Sequence, residues 1–424
     1  MFPKPGPSIL VEAAILLCGL TLFAQTSSSI SFSAPKAIAV PSQAYTQFLA
    51  SGDVNGDGKT DLLTQGGLLF GDGTGKFTPS SIDETAVAGS GLIPVPLTDL
   101  NGDGSLDAIQ LIPGQYDPDH CDDIPDTVKI FLGDGHGDFA WKSSYQIAKS
   151  DIRSAVIGDF NNDGKPDVAF IGRSTDVCVD PNIGHNYAVI SVLSNQGDGT
   201  FSVWIFGEYE DYDGDATTLV TGDFNKDGKP DLAFTGYSED ATGKPIARDI
   251  QVLAGNGDGT FALSAPYIYT LDSQPRGLAA ADLNGDKRTD LVVQLDAKDA
   301  SGAHPRIATL LAKQTTGFYW YSAVYFPTGS ADSLLLTNPL IDFNRDGKLD
   351  LGLIHFVGIG APSDLDVLAG EGGGNFAQPQ SFPAYPVITG AWPLSLTTGG
   401  PADVLVQAKN GNSYGLGLLI NQSK

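Results

Sequence analysis

One nine-residue pattern, Asp-x-Asn-x-Asp-x-x-x-Asp, occurs six times in this chain and constrains its fold more than any other feature. The copies begin at Asp53, Asp99, Asp159, Asp223, Asp282 and Asp342. Successive first aspartates lie 46, 60, 64, 59 and 60 residues apart. A period near 60 residues suits one four-stranded sheet per copy, and such repeats stack into a single domain. The spacing therefore predicts one repeat domain, although a chain of 424 residues would otherwise suggest two or three.

The pattern supplies the oxygen atoms that a hard cation such as Ca²⁺ prefers. Side chains at positions 1, 3, 5 and 9 and the backbone carbonyl of position 7 are the predicted ligands, and glycine at position 6 allows the turn. We expect the position 9 aspartate to bind the ion directly. The predicted ligand residues are Asp53, Asn55, Asp57, Lys59 and Asp61; Asp99, Asn101, Asp103, Ser105 and Asp107; Asp159, Asn161, Asp163, Lys165 and Asp167; Asp223, Asn225, Asp227, Lys229 and Asp231; Asp282, Asn284, Asp286, Arg288 and Asp290; and Asp342, Asn344, Asp346, Lys348 and Asp350.

The residues around these loops exclude an EF-hand. An EF-hand carries a bidentate Glu at position 12, whereas the six copies have Thr64, Gln110, Phe170, Phe234, Val293 and Leu353 there. The segments that follow, such as Asp-Leu-Ala-Phe and Asp-Leu-Val-Val, favour strands. Dockerins and thrombospondin type 3 repeats use the same loop, but their copies lie much closer together. The loops are therefore predicted to join strands of a propeller.

A second repeat lies downstream of each loop and predicts a tight glycine turn that ends at an aromatic residue. Its copies span 69–77, 131–139, 193–201, 253–261, 311–319 and 368–376. Each repeat unit then contains four strands. Strand A enters the acidic loop, strand B leaves it, strand C ends at the glycine turn, and strand D begins at the aromatic residue, which is Tyr319 in the fifth copy.

The pairing of the acidic loop with a Gly-Asp-Gly-Thr-Phe turn resembles the FG-GAP/VCBS repeats of the integrin α-subunit N-terminal propeller and of many secreted bacterial proteins. The likeness covers nearly the whole chain after residue 24. It implies a seven-bladed β-propeller that binds up to six structural Ca²⁺ ions in the hairpins between strands A and B.

The seventh blade is predicted from both ends of the chain. Residues 402–406 and 416–422 match strands B and C, and residues 30–35 resemble the start of a strand D. The predicted fold class is therefore all-β, with seven blades of four antiparallel strands and an N-terminal strand that completes the last blade. Blade seven keeps only Asp403 of the acidic pattern. The fifth loop has Lys287 where the others have glycine, so we expect its cation site to be the weakest.

Export is predicted from residues 1–24, where Lys4 precedes an apolar stretch and Ala24 suits cleavage, although Glu12 interrupts the stretch. The propeller domain would then span 25–424, in a secreted, periplasmic or cell-surface protein. Cys121 and Cys178 fall in the B–C segments of adjacent blades, and an oxidising compartment favours a disulfide between them.

The net charge of -26 argues against nucleic acid and anionic membranes as partners. Much of this charge belongs to the acidic loops, and no later segment is long and apolar enough to span a membrane. The sequence carries no signal for an oligomeric state.

Ligand binding is predicted on the face that carries the B–C and D–A loops, because rigid scaffolds commonly present function on loops. The candidate contact residues are Tyr116, His120, Arg173, His185, Tyr187, Tyr237 and Trp392. No catalytic residue is predicted, because no nucleophile elbow, metalloprotease motif or phosphate loop is present. The favoured function is a non-enzymatic binding or adhesion module for an extracellular protein or glycan. The alternative is a polysaccharide lyase, in which Tyr187 and Arg173 would serve as base and charge neutraliser.

Overall fold

The structure is a computed structural model that shows a ring of small antiparallel sheets. It describes residues 29–41, 47–80, 95–112, 114, 116–117, 122–123, 125–147, 151–175, 186–209, 218–239, 245–262, 267–296, 298–299, 302–303, 306–313, 317–326, 332–356, 363–384, 387–410 and 413–423. The predicted export segment 1–24, both cysteines of the predicted disulfide, His120 and His185 lie outside these ranges. No helix in the described ranges is long and apolar enough to cross a membrane.

The first half of the chain forms an N-terminal strand and three blades. In chain order the strands are β1 (Lys36–Ile38); β2 (Phe48–Gly52), β3 (Asp61–Thr64), β4 (Gly67–Gly71) and β5 (Phe77–Pro79) in blade 1; β6 (Ala108–Ile112), a short hairpin of β7 (Tyr116–Asp117) and β8 (Asp122–Asp123), β9 (Asp126–Gly133) and β10 (Phe139–Ile147) in blade 2; and β11 (Asp151–Gly158), β12 (Asp167–Thr175), β13 (Asn186–Asn195) and β14 (Phe201–Tyr209) in blade 3. In the described part of blade 2, Thr98 pairs with Asp107 at the place of strand A.

The second half forms four more blades. Blade 4 contains β15 (Leu219–Gly222), β16 (Asp231–Glu239), β17 (Pro245–Leu253) and β18 (Tyr267–Thr270); blade 5 contains β19 (Gln274–Ala281), β20 (Asp290–Asp296), a hairpin of β21 (Lys298–Asp299) and β22 (Gly302–Ala303), β23 (Arg306–Ala312) and β24 (Phe318–Tyr325); blade 6 contains β25 (Asp332–Ile341), β26 (Asp350–Phe356), β27 (Ser363–Leu368), the turn strands β28 (Gly370–Gly372) and β29 (Asn375–Phe376), and β30 (Gln380–Pro383); and blade 7 contains β31 (Ile388–Leu394), β32 (Asp403–Asn410) and β33 (Ser413–Leu419).

Blade 7 is completed by the N-terminal segment, as the sequence predicts. Strand β1 pairs with β33, so the order of the sheet is β1-β33-β32-β31. Upstream, the backbone N–H of Ser33 donates to the carbonyl of Ile420 at 2.8 Å, and Gln422 N–H donates to Ser31 at 2.7 Å. The predicted segment 30–35 thus pairs with the chain end, and the predicted seven-bladed all-β fold is confirmed.

The hydrophobic core is divided among the interfaces between blades. Among the described residues, seven buried clusters occur, and each contains side chains from two adjacent blades. The A strands of neighbouring blades lie against one another, which places them innermost and the D strands outermost. Because a sheet has two faces and each face packs on a neighbour, strands B and C are apolar on both sides. Every blade therefore depends on the two beside it.

The glycine turns also pack between blades. Gly75 of blade 1 has a φ of +82°, and an added Cβ would lie 2.7 Å from Leu418 Cδ2 of blade 7. In blade 5 the buried aromatic residue after the turn is Phe318, whereas Tyr319 is exposed, so the predicted position was wrong by one residue. The N–H of Lys313 donates to the carbonyl of Gly317 at 2.7 Å, which places the turn one residue earlier than its glycine-poor sequence suggested.

Candidate functional site

Each acidic loop connects strands A and B at one end of its blade, and its side chains are folded onto its own backbone. In all six loops the N–H of position 6 donates to Oδ2 of the position 1 aspartate at 2.8–2.9 Å. The N–H of position 5 donates to Oδ1 of the position 3 asparagine at 2.8–3.0 Å. The oxygens of positions 1, 3 and 5 therefore lie on one compact turn.

Left-handed backbone is required twice in each loop, at positions 4 and 6. Loops 1 and 2 meet this need with glycine at both positions. The other four loops each place one non-glycine residue there, with φ between 57° and 65°: Asn162, Lys226, Lys287 and Arg345. Lys287 has the strained backbone that the sequence predicts. Its loop is not distinct on that ground, however, because three other loops carry an equivalent strain of about 1–2 kcal/mol.

Two of these left-handed residues also reach the next blade. Lys226 Nζ donates to the carbonyl of Asp286 in the following loop at 2.7 Å. Arg345 Nη2 donates to the carbonyl of Gly399 in blade 7 at 3.1 Å. Two pairs of neighbouring blades are thus linked through their A–B loops, which gives a long basic side chain at position 4 a function that glycine lacks.

The position 9 aspartate joins the acidic loop to the glycine turn of the same blade. In blade 1, Asp61 Oδ2 accepts a hydrogen bond from Val54 N–H at 3.2 Å, and Oδ1 accepts one from Gly71 N–H at 2.9 Å. The same pair of bonds recurs in every blade, where the acceptors are Asp107, Asp167, Asp231, Asp290, Asp350 and Asp403. We call this arrangement the aspartate latch.

Blade 7 shows that the latch also forms in a loop that lacks the predicted cation ligands. Asp403 accepts from Leu396 N–H at 3.3 Å and from Asn421 N–H at 2.7 Å, although its loop lacks the acidic residues of positions 1 and 5. The latch aspartates are 0–2 % exposed in all seven blades. A buried carboxylate that satisfies two backbone N–H groups has a structural reason to be present without any metal.

Burial and neighbouring carboxylates raise the pKa of the latch aspartates. The pKa of Asp61, Asp107, Asp231, Asp290 and Asp350 is raised to about 6, mainly by burial and further by the aspartates at positions 5 and 1 of each loop. The backbone N–H groups oppose this rise. A cation among these carboxylates would relieve their repulsion.

The donor set of each loop fits a hard cation. All of the donors are oxygens, namely the carboxylates of positions 1, 5 and 9, the amide oxygen of position 3 and the carbonyl of position 7. In the described ranges, however, no three acidic, histidine or cysteine side chains are already gathered in a geometry that could hold a metal ion. The position 7 side chains Lys59 and Lys165 instead lie 3.0 and 3.2 Å from the position 5 carboxylates.

The five predicted ligand-face residues that the structure describes all lie in strands rather than on loops. Arg173 lies in β12, Tyr187 in β13 and Tyr237 in β16, because strands B and C of blades 3 and 4 are nine or ten residues long and include these positions. Tyr116 lies in the short strand β7, where it pairs with Asp123.

Trp392 was wrongly placed on the ligand face. It lies within β31, is 9 % exposed, and packs against Phe48 with ring centroids 4.7 Å apart at the interface of blades 7 and 1. Strand A is apolar here because it faces blade 1, so this indole belongs to the core.

All of the exposed tryptophans and most of the exposed tyrosines among the described residues lie instead on outer D strands. Trp141 in β10, Trp204 in β14 and four residues of β24, namely Tyr319, Trp320, Tyr321 and Tyr325, are 38–61 % exposed. The run Phe-Tyr-Trp-Tyr at the start of β24 could have indicated this surface, because a strand with one buried face cannot bury four consecutive aromatic residues. Sequence reasoning missed it by considering loops alone.

Comparison with known proteins agrees with this geometry. A family model described as an FG-GAP-like repeat matches residues 121–170 and 241–293, which include acidic loops of blades 3 and 5. The chain is a seven-bladed propeller with FG-GAP-like repeats. The match and the repeated loops confirm the resemblance noted from the sequence.

Two individual proteins are similar to this FG-GAP-like propeller. A T-cell immunomodulatory protein homolog of Plasmodium yoelii yoelii is 26% identical in a 286-residue alignment that covers 59% of this chain. The aligned part amounts to 38% of that relative's length. Among solved structures, the periplasmic gluconolactonase PpgL of Pseudomonas aeruginosa is 13% identical with a TM-score of 0.49, over 92% of this chain and 96% of the other.

Proposed function

We propose that this propeller is a secreted, non-enzymatic binding module for an extracellular protein or glycan. The observation that supports it is the set of exposed tryptophan and tyrosine side chains on the outer strands of blades 2, 3 and 5. Contact surfaces of binding proteins are enriched in tryptophan and tyrosine, which supply large area at low cost in side-chain entropy. Each of these D strands is hydrogen-bonded to strand C of its own blade. The exposed rings therefore stand on a rigid backbone before any ligand binds.

Calcium is proposed as the structural cofactor of the six acidic loops. The all-oxygen donor set of each loop supports this part of the proposal. Isothermal titration of the chelator-treated protein with CaCl₂ tests it, and Mg²⁺ serves as the matched control because it requires a tighter octahedral site. Binding of up to six Ca²⁺ ions per chain is expected, and a flat titration would contradict the assignment.

Export is proposed from the apolar segment that precedes residue 25, and it agrees with a disulfide between Cys121 and Cys178. Expression of the full chain, followed by intact-mass measurement of the mature protein before and after reduction, tests both points. A gain of two hydrogens on reduction is expected. Cytoplasmic retention, or an unchanged mass, would contradict the respective point.

A polysaccharide lyase is the alternative function, and chain-length measurement separates it from binding. The calcium-loaded protein is incubated with labelled neutral and acidic polysaccharides, which are then separated by size-exclusion chromatography. Unchanged chain lengths are expected for a binding module. Shortened chains would establish an enzyme and refute the proposal.

A further inference from the structure

Blade 5 carries an exposed aromatic pair on its outer strand with an arginine behind it. Trp320 and Tyr325 are 38 % and 56 % exposed, whereas Arg306 is 6 % exposed. The guanidinium carbon of Arg306 lies 5.3 Å from the ring centroid of Trp320 and 5.8 Å from that of Tyr325. Both rings therefore present one side to solvent while the cation attracts the π-system from behind.

A β-bulge brings the two rings to one face of the blade. In a regular strand, Trp320 and Tyr325 would point to opposite faces, because they are five residues apart. The register of β23 against β24 shifts between Thr309 and Leu310, so that Trp320 pairs with Leu310 and Tyr325 pairs with Arg306. The extra residue in β24 restores the same side for both rings.

Arg306 is fixed by its surroundings. Its Nη2 forms an ion pair with the carboxylate of Asp272, whose backbone carbonyl accepts a hydrogen bond from Arg248 Nη1 at 3.0 Å. The N–H donors of a guanidinium lie in its plane, so the ion pair with Asp272 leaves its flat faces to the two rings. A buried cation held in this way orients Trp320 and Tyr325 before any ligand arrives.

The acidic side chains near the two rings favour a neutral ligand over an anionic one. Asp272 has a side chain that is 68% exposed, and Asp296, at the same end of the blade, is 28% exposed beside Arg276. These carboxylates can accept hydrogen bonds from hydroxyl groups but would repel an anionic polymer, as would a net charge of -26. A pyranose ring fits both features, because its C–H face is apolar and its rim carries hydroxyl groups.

We propose that Trp320 and Tyr325, backed by Arg306, form a stacking platform for neutral sugar residues of an extracellular glycan. The proposal rests on the binding function proposed above and assigns it a surface and a ligand class. The D strand of blade 5 is an outer edge of its sheet, so a long glycan can cross it without entering the ring.

Affinity electrophoresis in native gels that contain a neutral polysaccharide tests the platform. Hydroxyethylcellulose, galactomannan and laminarin are the neutral probes, and polygalacturonate is the acidic probe. The variants are Trp320→Ala and Tyr325→Ala. The matched controls are Trp141→Ala and Trp204→Ala, because these tryptophans are also exposed on outer strands but, among the described residues, no arginine lies over their rings.

We expect at least one neutral polysaccharide to retard the wild-type protein. Trp320→Ala and Tyr325→Ala should each weaken the apparent affinity about tenfold, as the loss of one stacking contact implies. Both control variants should bind as the wild type does. Trp320→Ala and Tyr325→Ala also lose a cation–π contact with the buried Arg306, so both should unfold at a somewhat lower temperature than the wild type. A cooperative unfolding transition above the assay temperature in all four variants shows that lost retardation is not lost folding.

Two groups of outcomes contradict these proposals, one the platform alone and the other the binding function as a whole. Retardation by polygalacturonate alone, retardation by no neutral probe, or an equal loss in Trp320→Ala and Trp141→Ala would refute the platform while leaving a binding module possible elsewhere. Shortening of a polysaccharide in the size-exclusion assay would instead refute the binding function itself.

Discussion

The aspartate latch of blade 7 gives a prediction whose size follows from its hydrogen bonds. Asp403→Ala removes the acceptor of two buried backbone N–H groups, on Leu396 and Asn421. Each buried donor left without a partner costs about 1–3 kcal/mol, so we expect a loss of about 2–6 kcal/mol in the free energy of unfolding. Asp403→Asn keeps one acceptor oxygen and should lose about half as much.

Comparison with Asp61→Ala separates the latch from cation binding. Asp61 makes the same two bonds but belongs to a loop with a full set of calcium donors. In EDTA the two alanine variants should be destabilised similarly. In CaCl₂ the Asp403→Ala variant should gain as much stability as the wild type, whereas Asp61→Ala should gain less, because one proposed site is lost.

Scanning calorimetry of the wild type and of the Asp403→Ala, Asp403→Asn and Asp61→Ala variants, each in EDTA and in CaCl₂, measures these differences. A stability of Asp403→Ala within about 0.5 kcal/mol of the wild type, which is typical of an unimportant surface change, would refute the latch. If Asp403→Ala gained less stability from CaCl₂ than the wild type does, the latch of blade 7 would not be independent of metal.

Three further predictions concern the cation loops and a buried carboxylate. Excess EDTA should lower the Tm of the calcium-loaded protein, and an unchanged melting curve would contradict structural calcium. Lys287→Gly should stabilise the protein by about 1 kcal/mol by removing the left-handed strain, whereas the control Lys229→Gly should not, as denaturant unfolding will test. Burial raises the pKa of Asp249 to about 6, and its Oδ1 lacks a hydrogen-bond partner among the described residues. Ionisation of Asp249 therefore costs more free energy in the folded than in the unfolded protein. Asp249→Asn should raise the Tm at pH 7, and this increase should disappear near pH 4, where the carboxyl group is protonated in the folded protein. Equal changes in Tm at both pH values would contradict the prediction.

The sequence was sufficient for the fold because its signals are local and repeated. The acidic pattern identifies the A–B hairpin in six blades, and segment 30–35 resembles an ordinary strand D closely enough to predict the ring closure. The hydrogen bonds of the position 9 aspartates to the glycine turns could not be predicted in the same way. Their bonds to the glycine turn join residues 10 to 28 positions apart, and only the folded blade brings these together.

The candidate site was harder to predict because exposure depends on neighbouring blades. Trp392 sits between two loops in the sequence, yet blade 1 covers it through Phe48. Trp320 lies two residues after the buried Phe318 and could have been core as well. Its exposure depends on the bulge in β24, and in the described part of the chain no fifth strand pairs with β24 beyond it. Such features follow from pairing register, which composition and periodicity do not determine.

The closure of blade 7 makes the ring vulnerable while it forms. Strand β33 carries Leu416 and Leu418 and has an unpaired edge until residues 31–38 arrive from the opposite end of the chain. An exposed apolar edge accepts any suitable strand, and another copy of the protein supplies the same N-terminal segment. At high protein concentration, refolding should therefore yield dimers or longer assemblies in which each copy seals the last blade of its neighbour.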